Sequence, residues 1–182
     1  MSRIFAAAVV LLASIAAALP AAAHVHAFKF GEMTDGQMVK VYMLHSNSGA
    51  DLEILTLGAT LRKAAVPDRD GKQADVVFGF DNVADYFTDD NQYFGCVVGR
   101  YGNRIAKGTF TLDGQEYHLA TNNGPNHLHG GGERALSRVV WKAKRFESEH
   151  ERGVKLWYLS PDGEEGYPGN LEASVTYTLN DD

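Results

Sequence analysis

The 182-residue sequence contains a single cysteine, Cys96, so an internal disulfide is excluded. Cys96 lies in the apolar run YFGCVVG, where no neighbouring side chain carries the positive charge that would activate a thiolate. We therefore interpret Cys96 as a small buried apolar residue and not as a nucleophile.

The sequence also lacks an excess of positive charge. It has 17 lysines and arginines against 23 aspartates and glutamates, which gives a formal net charge of −6. Nucleic acids and anionic membrane surfaces are bound through clustered positive charge. The composition therefore argues against both as partners and favours a neutral or weakly polar ligand.

No long segment has the hydrophobic period of a helix, and no repeat, low-complexity tract or linker follows residue 24. Glycine-bearing turns instead separate short runs rich in β-branched and aromatic residues, which is typical of an all-β fold. A tight hairpin at Asp113-Gly114 is predicted to join GTFTL to QEYHL. The other predicted strands are VKVYMLHS, DLEILTL, TLRKAAV, ADVVFGF, KLWYLS and LEASVTYTL, with one helical turn at NVADYF. We expect sheets packed on sheets.

The first 23 residues have the pattern of a secretory signal peptide. Arg3 supplies a positive start, an apolar run covers residues 4–19, and small residues precede His24. The run is shorter than the roughly 20 residues of a membrane-spanning helix. We expect cleavage after Ala23, a domain of residues 24–182 without membrane attachment, and secretion, with the bacterial periplasm as the favoured location.

The last predicted strand, LEASVTYTL, alternates apolar and polar residues and is followed only by Asn180, Asp181 and Asp182. These three residues resemble a hairpin turn whose second strand lies outside the sequence. Natural sheets normally cover the edge of such a strand. We therefore expect this chain to be the N-terminal part of a longer protein.

The segment HLHGGGE raises the possibility of a metal site. His127 and His129 would share one face of a strand, and Glu133 would be a third ligand, as in cupin-type sites. The cupin pattern also requires glycines at two flanking positions, which here are Thr121 and Val140. We therefore expect no metal at these residues.

Two further polar segments allow more than one interpretation. The segment GRYGNRIAKG, which contains Asn103 and Arg104, lacks the Gly-Lys-Ser/Thr ending of a phosphate-binding loop. Two interpretations stay open: a turn with a solvated arginine, or a pair of side chains that binds sugar hydroxyls. The segment SPDGEEGYPGN does not have the oxygen spacing of a calcium loop. Because its adjacent Glu164 and Glu165 would diverge in an extended chain, we interpret that segment as structural.

Taken together, these motifs are similar to those of one family. The sequence contains, in this order, LGATL, VPDRDGKQADVVFGF, the block YFGCVVGRYGNRIAKGTFTLDGQEYHLATNNGPNHLHGG, Trp141, SPDGEEGYPGNL and VTYTL. Aldose 1-epimerases have these motifs in the same order, and the sequence resembles that family over nearly all of residues 24–182. The resemblance implies a large antiparallel β-sandwich with a cleft for an aldose, and no metal or organic cofactor. It also implies that Asn103, Arg104 and His129 bind the substrate, whereas His127 falls at a variable position and is interpreted as a bystander.

The sequence departs from the family in two places. It has GGGERALSRVVW where members have GGxxGFDKxxW, which affects the loop beside the cleft and hence substrate preference. The family's general acid, a histidine of a TNHxYFN motif, and its general base, a late glutamate, are both absent. We therefore expect no catalytic residue within this chain, with the acid and base beyond Asp182, and an inactive isolated chain. A non-catalytic carbohydrate-binding module of the same fold and a cupin-like metalloprotein, or another β protein, stay open as alternatives.

Overall fold

The computed structural model describes residues 24–91 and 93–180. The predicted signal peptide, residues 1–23, lies outside the described residues, as do Asp181 and Asp182. Over the described ranges, no helix is both long enough and apolar enough to cross a membrane.

The described residues form twelve strands and three short 3₁₀ turns, so the predicted all-β fold class is confirmed. The strands are β1 His24–Glu32, β2 Met38–His45, β3 Asp51–Leu55, β4 Leu61–Pro67, β5 Gln73–Asp75, β6 Arg104–Ile105, β7 Thr109–Leu112, β8 Gln115–His118, β9 His127–Leu128, β10 Lys142–Glu147, β11 Glu151–Ser160 and β12 Leu171–Asn180. The 3₁₀ turns are Ala84–Phe87, Ala106–Gly108 and Glu164–Gly166.

The largest sheet contains β1 to β5 in chain order, and every neighbouring pair in it is antiparallel. Successive side chains of a strand point to opposite faces, and this sheet buries apolar side chains on both: Leu44 and Ile54 belong to one apolar cluster, and Val39 and Leu55 to another. Val39, Leu44, Ile54 and Leu55 are 0% exposed. Burial of each such side chain contributes about 1.5–3 kcal/mol, so the two apolar clusters supply much of the folding free energy.

A second sheet, β10-β11-β12, packs on the first to form a sandwich. One apolar cluster joins Leu44 and Ile54 of the first sheet to Val154 and Leu156 of the second, with Trp141 between them. The indole nitrogen of Trp141 donates to the carbonyl oxygen of Leu136 over 2.9 Å, so this large side chain is buried without an unpaired polar group.

Most strands are where the sequence predicts them. The Asp113-Gly114 hairpin is confirmed, and both residues have positive φ, 52° and 80°, as a tight two-residue turn requires. The alternation along β12 is confirmed as well, because its burial pattern alternates between half-buried and exposed positions. The helical turn predicted at NVADYF is the 3₁₀ turn Ala84–Phe87.

The strand predicted at ADVVFGF is wrong beyond its first two residues, because β5 ends at Asp75. The carboxylate of Asp75 accepts hydrogen bonds from the backbone N–H groups of Ala64, at 3.0 Å, and Val77, at 3.2 Å. This side chain therefore replaces strand pairing at the point where the ladder would continue. Val76 and Phe78 are 64% and 75% exposed as a result.

Strands β1 and β10 were not predicted. The sequence HVHAFKFGE of β1 does contain a period of two in its histidines and phenylalanines, which is a usable strand signal. The sequence KAKRFE of β10 is mostly charged and exposed, and it becomes a strand because it pairs with β11 along its full length.

Candidate functional site

A short ladder between β6 and β9 brings the predicted binding residues together. Arg104 pairs with Leu128 and Ile105 with His127. Immediately beyond the ladder, the N–H of Asn103 donates to Nδ1 of His129, and the N–H of His129 donates to the carbonyl oxygen of Asn103, each over 3.0 Å. Two segments that are 26 residues apart in the sequence are therefore joined by reciprocal hydrogen bonds.

Asn103 and His129 both have a left-handed backbone, with φ of 67° and 50°. This conformation costs a residue with a Cβ roughly 1–2 kcal/mol, and it persists only where the surroundings impose it. Non-glycine residues in strained backbone regions concentrate at functional sites. The reciprocal hydrogen bonds are the contacts that hold both residues in this conformation.

The contact with Asn103 also sets the tautomer of His129. Because Nδ1 accepts a hydrogen bond from a backbone N–H, the neutral imidazole carries its hydrogen on Nε2. The ring of Tyr93 lies against this imidazole, with 4.6 Å between ring centroids and 57° between the planes. Tyr93 has a left-handed backbone as well, with φ of 62°. His129 is thus a half-buried ring with a defined donor.

Arg104 is exposed and is oriented by two asparagines. Its Nε donates to Oδ1 of Asn123 over 3.0 Å, and Nη1 donates to Oδ1 of Asn103 over 3.2 Å. The guanidinium has five N–H groups, so three have no partner among residues 24–91 and 93–180. These three groups are available to the oxygen atoms of a ligand.

The asparagines of NNGPN build the loop that presents His129. Oδ1 of Asn122 accepts from the N–H of Leu128 at 2.7 Å, and its Nδ2 donates to the carbonyl oxygens of Leu128, at 2.9 Å, and Gly131, at 2.7 Å. Asn126 accepts from the N–H of Lys107 at 3.2 Å. The asparagines of this segment therefore mainly bind backbone groups of the loop, and Asn123 in addition orients the side chain of Arg104.

His127, only two residues from His129, has a different environment. It is 0% exposed, Nδ1 lies 2.7 Å from the carbonyl oxygen of Ala120, and Nε2 lies 2.6 Å from the hydroxyl of Tyr167. Because the carbonyl oxygen of Ala120 can only accept, Nε2 is the nitrogen without a hydrogen, and it accepts from the hydroxyl of Tyr167, whose pKa burial raises to about 12. Nδ1 then carries the hydrogen and donates to Ala120. Both ring nitrogens are used within the protein, which supports the interpretation of His127 as a bystander.

The structure separates the three residues of the metal hypothesis. His127 is buried against Tyr167, His129 leaves the strand with positive φ, and Glu133 is exposed. With their side chains as they stand, no group of three or more His, Cys, Asp or Glu residues in the described part of the chain is arranged to hold a metal ion. That these three residues bind no metal stays a prediction.

The acidic segment 160–170 supports the loop behind His129. Glu165 accepts from the backbone N–H groups of Gly132, at 3.0 Å, and Arg134, at 2.7 Å. Glu164 accepts from Tyr158 at 2.8 Å, Ser160 at 2.5 Å and the side chain of Arg134 at 3.0 Å. Both carboxylates bind groups of the protein itself and share only Arg134, through its backbone N–H and its side chain, in agreement with the structural interpretation of this segment.

Close packing explains two of the glycines after His129. A Cβ at Gly130 would overlap the carbonyl group of Gly99, and a Cβ at Gly131 would overlap the carboxylate of Glu165. Both residues also have positive φ, 93° and 115°. The His-Gly-Gly sequence is therefore required by the approach of two other segments to this loop.

Sequence reasoning missed Tyr93 and Arg100. The guanidinium of Arg100 donates to the hydroxyl of Ser160 at 2.9 Å and to four backbone carbonyl oxygens, those of Ser160, Pro161, Pro168 and Gly169. It thereby fixes the 160–170 segment that supports the loop after His129. Arg100 lies within the central block of family motifs, but the sequence around it does not indicate that its partners are 60 residues away.

A cavity of about 660 Å³ borders Arg104. Its walls are mainly apolar and include Tyr101, Phe110, Tyr167 and Leu171. Asn103 and His129 lie outside it. The volume falls in the range of small-ligand sites, about 300–1,000 Å³. The candidate site is therefore an open polar surface beside an apolar cavity, with Arg104 between them.

The fold and the site together define a β-sandwich protein with a cluster of hydrogen-bond donors on one open surface. The family model for aldose 1-epimerase matches residues 40–182, and the chain belongs to that family. Among curated proteins, galactose mutarotase from Sus scrofa is 47% identical over 151 residues, and aldose 1-epimerase from Escherichia coli (strain K12) is 35% identical over 148 residues. These matches cover 82% and 81% of this chain, and 42% and 41% of the relatives.

Solved structures give the same result. A galactose 1-epimerase from Lactobacillus acidophilus NCFM superimposes with a TM-score of 0.74 at 27% identity, covering 88% of this chain and 46% of that one. An aldose epimerase homologue from C. elegans superimposes with a TM-score of 0.63 at 36% identity, covering 74% and 40%. The chain therefore spans less than half the length of these relatives.

Proposed function

We propose that this chain supplies the sugar-binding part of an aldose 1-epimerase, which interconverts the α- and β-anomers of a free aldose such as galactose or glucose. Membership of the family supports the reaction class. The observation that carries the proposal is the hydrogen-bonded set of Asn103, Arg104 and His129. Hydrogen bonds within the protein orient the side chains of Arg104 and His129, and each has N–H groups available to a ligand.

Mutarotation proceeds by two proton transfers. A base removes the proton of the anomeric hydroxyl, an acid protonates the ring oxygen, the ring opens, and closure after rotation of the aldehyde gives the other anomer. In this proposal, Arg104 and the Nε2–H of His129 donate hydrogen bonds to sugar oxygens and stabilise the charge that develops on them. Their prior orientation by Asn103, Asn123 and Tyr93 reduces the reorganisation needed in the transition state.

The acid and base are proposed to lie beyond Asp182. The supporting observations are the absence of the TNHxYFN motif from the sequence and the coverage of only 42% of the first mutarotase relative. Each positioned proton-transfer group contributes typically about 10²- to 10⁴-fold. The 182-residue chain by itself is therefore proposed to have no appreciable mutarotase activity.

Polarimetry of freshly dissolved α-D-galactose, corrected for spontaneous mutarotation, tests this proposal. We expect the baseline rate with the 182-residue chain and a fast approach to equilibrium with the longer in-frame protein. Arg104→Ala should abolish most of that acceleration, whereas Arg69→Ala, at an arginine whose side chain is 93% exposed, should leave it unchanged. Robust activity of the 182-residue chain would show that the acid and base are misplaced.

A non-catalytic carbohydrate-binding module of the same fold is the second candidate, favoured by the absence of the catalytic motifs from the sequence. Sugar binding by the longer in-frame protein without anomer interconversion would establish it. Titration with galactose, followed by NMR of the His129 imidazole, separates binding from catalysis.

We also propose that residues 1–23 are a cleaved signal peptide and that the protein is secreted to the bacterial periplasm. The charged start, the apolar run and the small residues before His24 support this. Intact mass of protein recovered from the periplasm should correspond to a chain that begins at His24. Recovery of a chain that still begins at Met1 would contradict the proposal.

A further inference from the structure

Three histidines lie together on β1 and β2, far from Asn103 in the sequence. The ring centroids of His24 and His26 are 4.2 Å apart, those of His24 and His45 are 4.7 Å apart, and those of His26 and His45 are 6.4 Å apart. The proposed sugar site uses none of these residues.

The strand geometry places the three imidazoles on one face of the sheet. His24 and His26 are two residues apart on β1, so their side chains project from the same side. His45 on β2 is the cross-strand partner of His24. Val25, between the two β1 histidines, is buried in the core on the opposite face. The histidine face is therefore the outer face of the sandwich, where His26 is exposed and His24 and His45 are half-buried.

A carboxylate orients one of the three rings. Nδ1 of His45 lies 2.6 Å from Oδ1 of Asp51, the residue paired with it on β3. Since a carboxylate only accepts, Nδ1 carries the hydrogen and the lone pair of the neutral ring is on Nε2. A carboxylate behind the non-coordinating nitrogen is the usual outer partner of a histidine that binds a metal, because it fixes the tautomer and increases the basicity of the ligand.

The spacing of the rings suits coordination. Zn–N bonds are about 2.0–2.1 Å, so two imidazoles on one tetrahedral ion have centroids about 5 Å apart. The three observed separations, 4.2, 4.7 and 6.4 Å, bracket that value. The nitrogens do not converge with the side chains as they stand. Metal binding therefore requires His24 and His26, which lie at the partly open surface, to adopt other side-chain rotamers.

We propose that His24, His26 and His45 form a binding site for a divalent transition-metal ion of the Zn²⁺ class, with Asp51 as the outer partner of His45. Three neutral imidazoles from adjacent strands are a preferred donor set for such ions, and they leave a fourth position for water. This site is separate from the sugar site and takes no part in mutarotation.

Titration of the complete chain with Zn²⁺ against a chromogenic chelator tests the site. We expect one equivalent to bind, and the stoichiometric binding to be lost in His26→Ala and in His45→Ala. Asp51→Ala should weaken binding by about 10- to 100-fold, the usual effect of removing an outer partner. His118→Ala is the matched control, since this exposed histidine on β8 should leave binding unchanged.

Imidazole NMR gives a second measurement that does not depend on the variants. The signals of His24, His26 and His45 should shift together on addition of Zn²⁺, while that of His118 stays in place. Absence of stoichiometric zinc binding by the wild-type chain would overturn the proposal. Binding that survives His45→Ala would also overturn it, because the His-Val-His segment alone would then account for the affinity. Thermal melting without metal verifies that each variant is folded.

Discussion

The five-stranded sheet β1–β5 and the site segment, residues 93–134, are built by different means. The sheet is held by apolar side chains, several of them completely buried. The site segment is held by asparagine side chains, paired backbone groups and the supporting carboxylate of Glu165. Five of the seven non-glycine residues with positive φ in the described chain lie between Tyr93 and His129.

This difference separates stability from function. Apolar burial is non-directional, so a sheet core tolerates small rearrangements at moderate cost. Hydrogen bonds to a left-handed backbone are directional, and they fix a donor such as Nε2 of His129 in one position. The strain is located in the segment where the donors are presented, and the apolar sheets supply the free energy that sustains it.

The largest effect on stability should come from Trp141. Trp141→Ala removes a side chain that is 2% exposed and lies between the two sheets, and it should destabilise the fold by about 3–5 kcal/mol. Urea denaturation followed by circular dichroism measures the change. A loss below about 1 kcal/mol would mean that the two sheets are not held together through this residue.

The largest effect on activity should come from the site segment. In the longer protein proposed above, His129→Ala or Arg104→Ala should lower kcat/KM by the factor that corresponds to a loss of about 3–4 kcal/mol of transition-state stabilisation, as when one charge-stabilising donor is removed. The free energy of unfolding should change much less than in Trp141→Ala, since Arg104 is exposed. Wild-type rates in both folded variants would remove these residues from the site.

Substitution of His127 should affect stability more than activity, the opposite of what we expect for His129. His127→Ala removes the histidine partner of the hydroxyl of Tyr167, a buried residue, together with the hydrogen bond to the carbonyl of Ala120, at a cost of about 1–3 kcal/mol of stability. With folding maintained at low temperature, kcat should stay within a few-fold of wild type. A loss of kcat as large as that of His129→Ala would place His127 in the site.

The smallest expected effect concerns the reactivity of the Cys96 thiol toward chemical modification. Burial raises the pKa of this thiol to about 11, so at pH 8 only about one molecule in a thousand carries the reactive thiolate. Alkylation by iodoacetamide should therefore be slow at pH 8 in the native protein and fast in urea. The native rate should increase as the pH approaches 11; rapid native modification at pH 8 would contradict the buried interpretation.

The sequence predicted the parts that depend on local pattern. The period of two located β12, short runs rich in β-branched and aromatic residues located β2, β3, β4 and β11, and the Asp-Gly pair located the hairpin at Asp113. It failed at ADVVFGF because the carboxylate of Asp75 ends the ladder, a side-chain contact that no hydrophobic pattern encodes.

The site shows the same division. Family resemblance named Asn103, Arg104 and His129, but their contacts to one another and to Asn123 depend on the pairing of β6 with β9. Tyr93 and Arg100 act through partners distant in sequence, so their roles emerge only from the fold. The histidine group on β1 and β2 is likewise visible only once the two strands are in register.

The hydrogen bonds of Asn122 have a consequence for how the chain length can vary. This side chain spans from Leu128 to Gly131, so an added or deleted residue between these positions would break its contacts and displace His129. The hairpin tip at Gly114 has no such constraint, since nothing lies within 4 Å of a Cβ built there. Insertions, peptide tags and permuted termini should therefore be tolerated at the Asp113-Gly114 turn, and the ten residues that begin with Asn122 should keep their length.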